Sequence, residues 1–110
     1  MSTVTTHVLD TARGRPAVGV SVRLERLGDG PPEPVAEEAT DSDGRVRGLG
    51  TDDLAPGAYR LVFGTGDYFA GIGADVFYPQ VAVDFTVDPD QHYHVPLLVS
   101  PYAYSTYRGS

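Results

Sequence analysis

The chain is predicted to be all-β, a sandwich or a barrel, on three observations. Apolar and polar residues alternate at period two over several short runs, as half-buried strands require. Clusters of Gly, Pro and Asp break the runs at short intervals, which is the spacing of a sandwich or barrel. Only one short segment resists a strand reading.

In chain order, the first strand-like segment is Thr3-Val4-Thr5-Thr6-His7-Val8-Leu9. Alternation puts His7 on one face with Thr3, Thr5 and Leu9. After a turn signal at Arg13-Gly14-Arg15-Pro16, the apolar set Val18, Val20, Val22 and Leu24 alternates with Gly19, Ser21, Arg23 and Glu25. Gly28-Asp29-Gly30-Pro31-Pro32 reads as a turn and the Pro-rich patch at 31–34 as loop. Asp41-Ser42-Asp43-Gly44 reads as a tight hairpin turn with Gly44 at positive φ, leaving Arg45 to start the next strand. Ala55-Pro56-Gly57 and Asp88-Pro89-Asp90 are further turns. Two more alternating runs follow, Tyr59, Leu61, Phe63 and then Val81, Val83, Phe85, Val87.

The exception is Asp67 to Ala74, which follows a Thr65-Gly66 break and reads as one or two helical turns, with Thr65 or Asp67 as N-cap. Its two glycines argue against a long helix. The end of the chain, Ser100 to Ser110, has three tyrosines, three serines and a threonine, and only Arg108 is charged. A disordered tail tends to be charged and poor in aromatics. Tyr and Thr favour strands, so a strand running to the last residue is expected, in its plainest form an edge strand.

The 110 residues are expected to form one domain, 1–110. Hydrophobic residues make up 41%, enough for a core and well above a disordered chain. The net charge of −7 disfavours nucleic acid, whose affinity comes from Lys and Arg on phosphates, and disfavours an anionic membrane surface. No apolar stretch approaches the roughly 18 residues of a membrane span. The absence of cysteine rules out disulfides and a Cys-based metal site. The start lacks the basic and apolar regions of a secretory signal, and Gly-Ser is not a peroxisomal ending. The expected location is cytoplasmic.

Three places carry candidate chemistry. His92 and His94 form a His-x-His pair whose rings project from one side of a strand. That geometry suits a metal or a shared polar pocket, although two surface histidines on a solvated face explain the spacing more plainly. A zinc site needs a third protein ligand, which His7 could supply, but imidazoles acting as acid and base account for the same residues. Asp41 to Gly44 lacks the later ligands of a calcium loop and is rejected as one. Arg45 is either a surface residue or a cation held at a strand start and aimed at a carbonyl or an anion.

Read together, these residues resemble the transthyretin-related 5-hydroxyisourate hydrolases, the second enzymes of urate degradation. Thr6-His7-Val8-Leu9-Asp10 carries the likeness, as do Thr40-Asp41-Ser42-Asp43-Gly44-Arg45 and His92-Tyr93-His94-Val95-Pro96-Leu97-Leu98 leading through Ser100-Pro101-Tyr102 to Tyr107-Arg108-Gly109-Ser110. It spans essentially the whole chain. The terminal tetrapeptide with the upstream His-Tyr-His separates the hydrolases from the vertebrate hormone carriers of the same fold. The turn departs from the family at its second position, where Asn is frequent, and the loop from Arg47 to Pro56 is not closely matched.

The resemblance implies a transthyretin-like two-sheet antiparallel β-sandwich with one short helix, assembled as a homotetramer with sites where two dimers meet. It implies hydrolysis of 5-hydroxyisourate to 2-oxo-4-hydroxy-4-carboxy-5-ureidoimidazoline, with no cofactor and no metal in the chemistry. His7 or His94, kept neutral, would take a proton from water, and Arg45 would face the developing oxyanion or the anionic substrate. Tyr107, Arg108 and Gly109 would bind the ring. Ser110 would contribute its hydroxyl or a terminal carboxylate, so the last four residues would belong to the active site. A non-catalytic binder of a small aromatic ligand and a zinc-dependent hydrolase are the competing expectations.

Overall fold

Alternation becomes two faces at the first strand. In β1 (Thr3–Asp10), Val4, Thr6, Val8 and Asp10 are buried while Thr3, Thr5, His7 and Leu9 are half-buried. The computed structural model describes residues 2–49 and 54–110. It continues through β2 (Arg15–Pro16), β3 (Ser21–Arg26), β4 (Glu33–Ala39), β5 (Arg45–Val46), β6 (Gly57–Phe63), α1 (Thr65–Gly71), β7 (Val81–Val87), β8 (His92–Ser100) and β9 (Ala103–Thr106). The strands form two sheets. One has the order β2-β1-β8-β9, with β5 also paired to β1, and the other has the order β4-β3-β6-β7. All pairs are antiparallel except β1 and β8, which run parallel from Thr3 opposite His92 to Asp10 opposite Val99.

The inward residues of both sheets make one core. Val4, Val8, Tyr93, Val95, Leu97 and Val99 meet Val22, Leu24, Tyr59, Leu61, Phe63, Val81 and Val87. Each large apolar side chain buried this way contributes about 1.5–3 kcal/mol. Truncating Phe63, wholly buried in β6, would cost about 3–5 kcal/mol through lost transfer energy and the cavity left behind. Buried polar groups are paired, since an unpaired one carries a desolvation cost. Thr6 donates to Val95 O, and Thr40 donates to Ala17 O while accepting from Val20 N. Asp10 accepts from Tyr68 Oη and Arg13 N. Among the described residues no buried side-chain N or O lacks a partner.

Several local expectations need correction. Val18 lies outside β3 and is 54% exposed, because Gly19 takes φ +80° and turns the chain before the strand starts. The 31–34 patch is not all loop. Glu33 and Pro34 begin β4, an edge strand, where a register shift at Leu24/Glu25 accommodates the proline. Neither Thr65 nor Asp67 caps α1. Gly64 is the N-cap residue without a side-chain bond, and the Thr65 hydroxyl donates instead to Tyr78 O. The last strand stops at Thr106, and only an isolated bridge from Gly109 to His94 continues the pairing. Of the loop from Arg47 to Pro56, residues 50–53 lie outside the described residues. Among the described residues no helix is long and apolar enough to cross a membrane.

Candidate active site

The parallel β1/β8 register builds the site. It sets Thr3 opposite His92, Thr5 opposite His94 and His7 opposite Pro96, so hydroxyls and imidazoles from distant parts of the chain share one outward face. The partners hydrogen-bond. Thr5 Oγ1 lies 2.8 Å from His94 Nδ1 and 3.3 Å from His92 Nε2, and Thr3 Oγ1 lies 2.6 Å from His92 Nδ1.

Arg45 reaches the same face through the turn before it. Asp41 Oδ1 accepts from the amides of Asp43 at 2.9 Å and Arg45 at 3.0 Å. Those bonds, that of Arg45 foremost, hold the Asp41 carboxyl below its usual range. Gly44 closes the turn at φ +75°, and a Cβ there would stand 2.5 Å from Val8 O, so glycine is required twice over. β5 then pairs with β1 and places Arg45 opposite His7. The His7 ring is held from the other side, with Nε2 2.9 Å from Asp43 O.

These elements enclose an open cavity of about 290 Å³ lined by Thr5, Arg45, Val46, Arg47, His92, His94 and Ser110. No Asp or Glu side chain lines it. Arg47 is engaged by Asp43 at 3.5 Å and by Asp41 at 3.8 Å, whereas Arg45 makes no ion pair among the described residues. Partial burial of the ring, then the charges of Arg45, His7 and His92, hold His94 below the ordinary imidazole value of 6.5. A neutral imidazole beside a fixed guanidinium can take a proton from water while negative charge grows nearby.

The tail divides between two places. Gly109 N donates to His94 O at 2.7 Å, and a Cβ on Gly109 would lie 2.7 Å from His94 Cδ2. Glycine therefore lets the tail lie flat against the imidazole and delivers Ser110 to the cavity. Tyr107 and Arg108 instead line a separate, apolar cleft with Val83, Phe85, Thr86, Tyr93, Val95 and Thr106. The Arg108 guanidinium stacks 4.5 Å above the Tyr93 ring, and Tyr107 is 59% exposed.

Of the residues singled out from sequence, Arg45, His94 and Ser110 line one cavity, with Gly109 against the His94 ring. His7 stands beside Arg45 without lining that cavity. Tyr107 and Arg108 do not reach it within one chain. Sequence reasoning placed His92 in the His-x-His pair without assigning it a catalytic or binding role, and did not select Thr5, Val46 or Arg47. For Thr5 and His92 the signal existed, since alternation already put each on the face of a candidate histidine. Among the described residues no three His, Cys, Asp or Glu side chains are grouped to hold a metal ion.

A family model described as HIUase/Transthyretin family matches residues 4–109. The chain belongs to that family. It is 53% identical over 115 residues to the 5-hydroxyisourate hydrolase of Caulobacter vibrioides, with 100% of each chain covered. The structure of the Klebsiella pneumoniae 5-hydroxyisourate hydrolase superposes with a TM-score of 0.89 at 38% identity, covering 98% of this chain and 99% of that one. Sea bream transthyretin in complex with thyroxine superposes with a TM-score of 0.90 at 30% identity, covering 96% and 93%. One backbone thus serves both a hydrolase and a thyroxine-bound transthyretin, and what separates them has to be sought in the side chains of the site.

Proposed function

We propose that the chain is a hydrolase of 5-hydroxyisourate, forming 2-oxo-4-hydroxy-4-carboxy-5-ureidoimidazoline in urate degradation. The observation that carries this reading is the shared cavity of Arg45 and His94, a permanent cation beside an imidazole biased toward its neutral form. The 53% identity to the Caulobacter vibrioides enzyme supports it.

In this reading His94 takes a proton from water as the water oxygen attacks the ring carbonyl. Arg45 faces the developing oxyanion, where its charge persists at every working pH. The C–N bond then breaks and the departing nitrogen receives a proton. His7, next to Arg45, binds the substrate and shares the acid–base work. Ser110 contributes a hydroxyl, and Gly109 keeps the tail close to the imidazole. No cofactor is required by this scheme.

Tyr107 and Arg108 bind the ring in an assembled site. The chain acts as one domain over 1–110 and forms a homotetramer with its sites where two dimers meet. The half-buried outward face of β1 and β8 and the exposed Tyr107 ring support that assembly, because both gain cover from a second subunit. The enzyme works in the cytoplasm.

The test is direct. 5-Hydroxyisourate is generated from urate with uricase, the protein is added, and ultraviolet absorbance is followed. Faster decay than in buffer is expected, and an unchanged rate would overturn the proposal. The likeness to thyroxine-bound transthyretin favours a binder as the second reading. Tight binding of an aromatic ligand without turnover would select it.

A further inference from the structure

The reaction scheme leaves one set of hydrogen bonds unused. Thr3 Oγ1, His92 Nδ1, His92 Nε2, Thr5 Oγ1 and His94 Nδ1 form a continuous chain along the outward face, with links of 2.6, 3.3 and 2.8 Å. A hydroxyl owns one proton, so Thr5, bonded to two imidazoles, donates to one and accepts from the other. With both rings neutral the chain has two orientations. In the first, Thr5 donates to His94 Nδ1, and the His94 proton sits on Nε2. In the second, His94 Nδ1–H donates to Thr5, Thr5 donates to His92 Nε2, and His92 Nδ1–H donates to Thr3.

Only the second leaves a lone pair on His94 Nε2, the nitrogen not committed to Thr5. The ring does not reverse cheaply, because its Cδ2 edge lies against Gly109 and reversal would give up the 2.8 Å bond. Resting on the hydrolase reading, we propose that Thr5 is a positioning residue that holds His94 as the Nδ1–H tautomer, and that Thr3 and His92 complete the chain which carries the proton away from it.

The proton balance closes. A water O–H bond breaks as an N–H bond forms at His94 Nε2. The Nδ1–H bond of His94 then breaks as an O–H bond forms on Thr5, whose original proton moves to His92 Nε2. His94 ends neutral and His92 ends as the cation. The direction is favourable on two counts. His94 is half-buried, and Arg45, His7 and His92 face it as charged or titratable groups. His92 is exposed, where water solvates its charge and accepts the proton.

The test needs no substrate for its first half. Long-range proton–nitrogen correlation spectra of the full-length protein with 15N-labelled histidine report the His94 tautomer. The wild type is expected to show Nδ1–H, and a predominant Nε2–H form would overturn the proposal. Thr5→Val keeps the shape and removes the hydroxyl. It is expected to give a mixture of tautomers and to lower kcat by about tenfold to a hundredfold, with KM within about twofold. Thr5→Ser should restore both readouts. Wild-type tautomer and kcat in Thr5→Val would overturn the proposal. If Thr5→Val does not fold by circular dichroism, His92→Phe decides, because it frees the Thr5 proton to turn toward His94. A changed tautomer ratio supports the proposal, and an unchanged ratio with unchanged kcat overturns it. A wild type without activity toward 5-hydroxyisourate would refute the hydrolase reading alone, since the tautomer is read separately.

Discussion

On the outward face of β3, β4, β6 and β7, charges answer one another across strands. Arg60 stands directly opposite Asp84 and binds it through two bonds of 2.6 and 3.0 Å. Arg23 bonds Glu25 at 2.9 Å and lies 3.8 Å from Glu37, its partner across β4. On the outward face of β1 and β8 the same alternation exposes Thr3, Thr5, His7, His92 and His94, with no carboxylate among them. One face is compensated within itself. The other holds hydroxyls, imidazoles and a guanidinium with no ionic partner among the described residues, although the chain carries fifteen acidic residues. A paired charge is already spent on its neighbour, whereas an unpaired cation and a neutral base keep their potential for something that arrives.

If that difference is functional, damage to the two faces should differ in kind. The largest effect is expected from deleting residues 107–110, which removes the contact of Gly109 with His94 and the Ser110 wall. Hydrolysis should be abolished while circular dichroism still reports the sandwich, and normal turnover by the truncated protein would contradict the assignment of the tail. His94→Asn and Arg45→Ala should each lower kcat by about a hundredfold or more while leaving the sedimentation coefficient at its wild-type value.

The pH profile sharpens the same contrast. Because the His94 imidazole is held below 6.5, it stays a neutral base into mildly acid solution. The acid limb of kcat/KM should therefore inflect below about 6.5, the free imidazole value. An acid limb inflecting above about 6.5, or no acid limb at all, would count against His94 as the base. Stability responds to acid in the same direction. As pH falls through about 6.5 the unfolded chain binds this proton first, so His94 contributes a loss of stability on acidification and nothing above that range.

The smallest effect is expected on the compensated face. Arg60→Ala should leave turnover unchanged and reduce the dependence of the thermal midpoint on salt, because an exposed pair acts through a screened field. A large loss of activity there would mean that the two faces do not differ as described.

Much of the site was legible as faces and little of it as neighbours. Alternation alone put His7 with Thr3 and Thr5, and His92 with His94, because side-chain direction in a strand depends only on parity. The turn at Asp41–Gly44 was legible too, since positive φ at Gly44 is local chemistry. The bond between Thr5 and His94 was not, because it joins residues 89 positions apart through a parallel pairing that neither segment encodes by itself. Pro34 misled for a related reason. Its missing donor excludes a central strand, but the edge position and register shift that admit it depend on β3. The same holds at α1, where Thr65 was an attractive cap until Tyr78 O claimed its hydroxyl.

By itself the sequence determined that this chain makes strands, which residues share each face, where the tight turn before Arg45 falls, and which family it belongs to. Those properties follow from periodicity, backbone preference and motif, all readable over a few residues. Only the tertiary structure decided that Thr5 grips His94 and that Gly109 lies flat on its ring. It also decided that Tyr107 and Arg108 leave for another cleft while Ser110 stays. Register and sheet order are set by the packing of the whole core, and a hydrogen bond of 2.8 Å exists only once that packing has brought its two ends together.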